Sequence, residues 1–177
     1  MSLAPADYDF GEPANYAFAE SVTCANDEAR KMYVEAHGHM LNYNHEQAIA
    51  CFMKCTELDP NCAMAWWGIA YCVSSNYNWS PGLGSGYDPI QQALKVMDHC
   101  TELEQDLIRA LSTRHSKEAR DAADPTVLNM GNDMELNVAF AEAMAPLHEK
   151  YAGNLDVTAI YVEALMNLKA WQLWDKN

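Results

Sequence analysis

The chain is predicted to be all-α, built from antiparallel helix pairs. Three observations carry this: apolar residues recur at helical spacing in one segment after another, capping residues separate those segments, and a helix–turn–helix unit returns after about 34 residues. One stretch, His37 to Tyr71, holds most of the evidence.

Asn26-Asp27-Glu28 opens the first helix with a capping side chain and early negative charge. Ala29, Met32, Tyr33, Ala36, Met40 and Leu41 then follow at helical spacing, and Asn42-Tyr43-Asn44 breaks the run. Asn44 with Gln47 reads as a capping box for a second helix through Ala48, Ile49, Phe52 and Cys55. Asp59-Pro60 is expected to cap and open a third helix through Ala63, Trp66, Trp67, Ile69, Ala70 and Val73. A long segment, 74–89, rich in Gly, Pro and aromatics, follows as a loop and candidate binding element.

Asp88-Pro89 restarts a helix through Ile90, Ala93, Leu94 and Met97. Thr101 and Glu104 form another capping box, and Leu107, Ile108 and Leu111 continue behind it. Ser112 to Asp124 reads as an exposed polar connection. Gly131-Asn132-Asp133 precedes a helix through Phe140 and Met144 to about Tyr151, with Pro146 expected to kink it or remove one backbone bond. Gly153-Asn154 ends it, and Asp156 is expected to cap a last helix through Ile160 and Leu168. Residues 1–25 form a lead-in segment over the first helix pair, and 26–177 one repeat domain.

Residue types fill the slots of a known repeat. Trp66, Ile69, Ala70 and Val73 occupy one set; Ala48, Phe52, Cys55 and Pro60 occupy the second; Met32, Ala36 and His39 occupy the first set of the preceding unit. In this the chain resembles the tetratricopeptide repeat family. A wider set of residues goes with it: Asn44-His45, Asp59-Pro60, Cys62 to Ala65, Trp67-Gly68, Asn76-Tyr77-Asn78, Tyr161, Glu163 to Leu168, and Trp171 with Leu173-Trp174. Across 24–174 this resembles the N-terminal part of larger tetratricopeptide-containing proteins of undefined activity. The resemblance implies helix pairs stacked as a right-handed superhelical array, with one stripe of each first helix lining a concave groove.

On that face assignment, Tyr33, His37 and Met40 share one helix face, and Trp67, Tyr71 and Ser74 the matching face of the next unit. With His45, Asn76, Tyr77 and Asn78 they form the candidate binding residues of an aromatic groove for a protein or peptide partner. The C-terminal Trp171 and Trp174 offer a second face, for a partner chain or a second copy.

Other chemistry is less favoured. His37 and His39 point to nearly opposite sides of a helix, whereas His37 and His45 are placed to approach across a turn, with Cys62 or an asparagine nearby, close to the Asn76-Tyr77-Asn78 loop. That would make a metal or proton-transfer site, the alternative to a non-enzymatic binding scaffold, with a structural subunit of a larger assembly as a third reading. His99, His115 and His148 read as surface residues. The six cysteines, Cys24, Cys51, Cys55, Cys62, Cys72 and Cys100, read as small buried thiols in a reducing compartment. Zinc would call for two ligand pairs at short spacing, so no metal or cofactor is assigned. Gly82 to Gly86 lacks both the preceding strand and the Lys-Ser/Thr of a phosphate loop, and no serine nucleophile elbow appears.

A formal net charge of −14 argues against nucleic acid and anionic membrane, both of which need basic surface. No run of 18 apolar residues is present, and residues 1–7 lack the basic and apolar segments of a signal peptide, so an intracellular, cytoplasmic setting is expected.

Overall fold

A computed structural model describes residues 17–74, 76–78, 86–122, 134–172 and 174. Among the described residues every regular element is helical: α1 (Ala17–Ser21), α2 (Asp27–Leu41), α3 (His45–Leu58), α4 (Ala63–Cys72), α5 (Tyr87–Val96), a 3₁₀ turn (Met97–His99), α6 (Glu102–Ser112), α7 (Lys117–Ala122), α8 (Met134–Lys150) and α9 (Leu155–Asn167). None is long and apolar enough to cross a membrane. Most of the lead-in, residues 79–85 of the long loop and the expected start at 131–133 lie outside the described residues.

Helices that follow one another in sequence pack on one another from α2 to α6, α8 then lies on α6, and α9 folds back on α8. Asn26 at the start of α2 donates to the Leu58 carbonyl at the end of α3, so that pair is antiparallel. Lys150 at the end of α8 bonds Glu102 and Asp106 in the first half of α6, and Arg114 beyond α6 bonds Asn137 near the start of α8, so these two are antiparallel as well. The first helices of successive pairs also meet, α2 on α4 and α4 on α6.

The core follows the apolar stripes. Tyr33 of α2 meets Phe52 of α3 at 5.5 Å between ring centroids, and Gly68 of α4 backs onto the same Phe52 ring. A Cβ at position 68 would lie 2.4 Å from Phe52 Cζ, so glycine is what lets α3 and α4 approach. α4 is apolar all round and buries nine of its ten residues, as a helix enclosed by neighbours does.

Several ends are set as expected and others are not. Asn26 caps α2 by accepting from Ala29 N–H, and Thr101 with Glu104 makes a complete capping box on α6. Asn44 precedes α3 but its side chain makes no capping bond; Tyr43, at φ 60°, reverses the chain instead. The third helix begins at Ala63 rather than Pro60; the Asp59 carboxylate accepts locally from Asn61 N–H and, across the fold, from Ala25 N–H. Asn154, and not Asp156, caps α9 by accepting from Val157 N–H, behind Gly153 at φ +90°. α8 runs unbroken past Pro146 to Lys150. The Ser112 to Asp124 segment is not simply an exposed connection: it contains α7 and buries Arg114.

Candidate functional site

The groove residues expected on α2 and α4 are buried. Tyr33, His37 and Trp67 are 0 % exposed, and Met40 and Tyr71 are buried beside them. α9 packs on α8 and reaches this face through two side-chain contacts. Its buried residues, Val157, Ile160, Ala164 and Asn167, recur at helical spacing, as in an amphipathic helix. At its first turn Asp156 Oδ1 lies 2.7 Å from His37 Nε2 of α2. Two turns on, the Tyr71 hydroxyl of α4 donates to Glu163 Oε2 at 2.5 Å. Burial, more than any neighbouring charge, pushes the Glu163 carboxyl above its ordinary range, while the Tyr71 hydrogen bond and the Arg114 charge oppose that shift. Tyr71 is pushed well up by burial and then by the Glu163 charge, which keeps its hydroxyl a proton donor.

Around this contact the face is aromatic. His37 stacks on Tyr33 and faces Phe18 of α1, both at 5.9 Å between centroids. Trp67 stacks on Tyr71 at 5.1 Å and donates its indole N–H to the Leu107 carbonyl. The Tyr33 hydroxyl and His37 Nδ1 are buried without a hydrogen-bond partner among the described residues. Such atoms ordinarily cost about 1–3 kcal/mol each when left unsatisfied.

His37 and His45 share no partner among the described residues. His45 Nε2 meets the Asn76 side-chain amide at 3.2 Å, with Tyr43 edge-on to the ring, and burial lowers its pKa so that it stays neutral at pH 7. Asn78 N–H donates to Asn76 Oδ1, which shapes that short loop, and Tyr77 stacks on Trp171 at 5.4 Å. Neither histidine belongs to a group of three or more ligating side chains among the described residues.

His115 is half-buried rather than an open surface residue. It lies against Gly86 and the Ala70 carbonyl, with Ser74 Oγ at 3.3 Å, and burial and then the Arg114 charge lower its pKa to about 3. Arg114, itself buried, donates to Asn137 and lies over the Phe140 ring.

A second cluster was not legible in the sequence. Cys24, from the turn before α2, Cys55, from the last turn of α3, and Cys62, from the turn before α4, bring their sulfurs within 4.8 Å of one another. Cys24 and Cys62 are 3.3 Å apart, and all three thiols are free. Hydrogen bonds from Cys55 and then Cys62 hold the Cys24 thiol down to about 4, so it carries the negative charge of the cluster. The same hydrogen bond, from the other side, pushes Cys55 up to about 12 and Cys62 higher still.

The Cys24 backbone is held on both sides. Thr23 N–H and Oγ1 each donate at 2.7 Å to the buried Glu104 carboxylate, which also caps α6, and Ala25 N–H donates to Asp59 Oδ2 at 2.7 Å. Arg30 donates to the carbonyls of Val22 and Cys24 and adds positive charge nearby. Cys24 opens onto a cleft of about 550 Å³ that also reaches Asp59, Asn61, Lys95 and His99. No protein family, curated protein or solved structure matches the chain when it is compared with them.

Proposed function

We propose that the chain is a non-enzymatic protein-binding module, made of tetratricopeptide-like helix pairs stacked as a right-handed superhelical array. Its concave face takes an acidic amphipathic helix, and in the free chain α9 occupies that face. One observation carries the reading: α9 touches α2 and α4 through two acid–donor pairs, Asp156–His37 and Glu163–Tyr71, set two turns apart over a buried aromatic stripe. This is the helix-in-groove mode, with anchors at helical spacing and carboxylates meeting buried donors. A cis helix must be displaced before a partner helix binds, so the partner's apparent affinity falls by the fraction of chains that are open.

The C-terminal face is a second contact surface for a protein partner or a second copy. Trp171 and Trp174 are 72 % and 89 % exposed there, and Leu155, Val162 and Leu165 lie on the outer side of α9.

The test uses a labelled peptide of residues 155–167 offered to the whole chain, with anisotropy as the readout. The double variant Asp156→Ala, Glu163→Gln loosens the cis helix and is expected to bind the peptide at least tenfold more tightly than the wild type, by roughly the 1.4 kcal/mol that tenfold represents. Adding His37→Gln and Tyr71→Phe to that variant removes the donors and is expected to abolish the gain. Equal affinity for wild type and double variant, or no binding to either, overturns the reading.

A further inference from the structure

We propose that Cys24, Cys55 and Cys62 form a metal site for a thiophilic divalent ion of the zinc class, held by three sulfurs with its fourth position toward the cleft beside Asp59. The spacing fits. A tetrahedral centre with metal–sulfur bonds of about 2.3 Å sets its sulfurs about 3.8 Å apart. The three sulfurs here all lie within 4.8 Å of one another, with Cys24 and Cys62 at 3.3 Å. A disulfide needs its two sulfurs at about 2.05 Å and leaves the third thiol unused.

The site is also built in advance. Its ligands come from three separate places in the chain, and two carboxylates fix the loop that carries the first. Glu104 holds Thr23 on one side of Cys24 and Asp59 holds Ala25 on the other. Ligand-bearing backbone fixed by outer hydrogen bonds is what a metal site needs and what inert core thiols do not. Cys55 and Cys62 are fully buried, so water and larger ligands reach the cluster only from the Cys24 side.

The charge balance is explicit. A divalent ion displaces the thiol protons of the three cysteines, which pass to solvent, and leaves a tris-thiolate complex of net charge −1 before the fourth ligand is counted. Nothing is oxidised or reduced. Arg30 lies beside the site to offset the remaining charge.

The experiment is a titration of the whole, reduced chain with Co²⁺ under anaerobic conditions, followed by Zn²⁺. The expected result is one equivalent of Co²⁺ bound with intense sulfur-to-metal charge-transfer absorption, and full displacement by one equivalent of Zn²⁺. Cys24→Ser, a half-buried loop position, is expected to weaken binding by more than the roughly 10–100-fold that loss of an outer-shell partner costs. Cys51→Ser, in the separate group with Glu35 and His39, is expected to change nothing. A readout that needs no variant is alkylation: Zn²⁺ should protect Cys24 from iodoacetamide. The proposal is overturned by absence of charge-transfer absorption, by binding that survives Cys24→Ser or is lost with Cys51→Ser, or by a Cys24–Cys62 disulfide as the only chemistry of the cluster.

Discussion

An ionisable side chain taken partly out of water in this molecule is decided by its immediate partners, and His115 shows the consequence for stability. Its folded pKa is about 3 against an ordinary value near 6.5, so between those values the unfolded chain binds a proton that the folded chain does not. Its contribution is therefore favourable above about 6.5 and is lost as pH falls toward 3. Moving from pH 7 to pH 5 is expected to cost the wild type about 2 kcal/mol more than it costs His115→Gln, one proton over about 1.5 pH units. Urea midpoints of both chains at the two pH values check this; parallel shifts refute it. Cys24 gives the matching kinetic prediction. The thiolate is the nucleophile, so at pH 6 Cys24 should be alkylated at least about tenfold faster than any of the other five cysteines, whose thiols stay protonated. Peptide mass mapping after brief iodoacetamide treatment measures the order.

At the scale of the element, two helices meet only because one of them lacks a side chain. Gly68→Ala adds helix propensity worth about 1 kcal/mol, yet the new methyl lands inside the Phe52 ring, and overpacking of that kind costs about 1–3 kcal/mol. The second effect wins because Phe52 is fully buried between α2 and α4 and has no free direction. The variant is expected to lose about 1 kcal/mol or more in thermal or urea unfolding, and Phe52→Leu in the same chain is expected to return part of it. Stabilisation by Gly68→Ala would show that the α3–α4 spacing relaxes freely.

Element ends were the part of the sequence that misled most. Asn44, Asp59 and Asp156 each look like a cap, but an N-cap competes with every other donor in reach. Asp59 accepts from Ala25, 34 residues away, and Asp156 from His37, 119 residues away. Spacing along the chain contains no information about such partners. Thr101 with Glu104 was legible because its bonds are local, although the same carboxylate also holds Thr23.

At the scale of the whole molecule, net charge and exposed aromatic surface oppose each other. A charge of −14 keeps copies apart at low salt, while Trp171 and Trp174 favour association. Salt shortens the screening length to about 10 Å at 0.1 M, which weakens the repulsion and leaves the apolar contact intact. Self-association is therefore expected to rise with salt and concentration in light scattering, and to disappear in Trp171→Ser, Trp174→Ser. A mass of one chain under all conditions would leave those tryptophans to a different partner.

The sequence alone established that this chain is helical and where most of the helices run. Those features rest on local periodicity and local capping, and periodicity is written in consecutive residues. Folding in three dimensions settled the rest. It buried Tyr33, His37 and Trp67 rather than leaving them open, and it paired His37 with Asp156 instead of His45. It also gathered Cys24, Cys55 and Cys62 from three turns that no short spacing connects. The reason is physical: a helix reports which of its faces is apolar, but the identity of what lies on that face depends on packing between segments far apart in the chain.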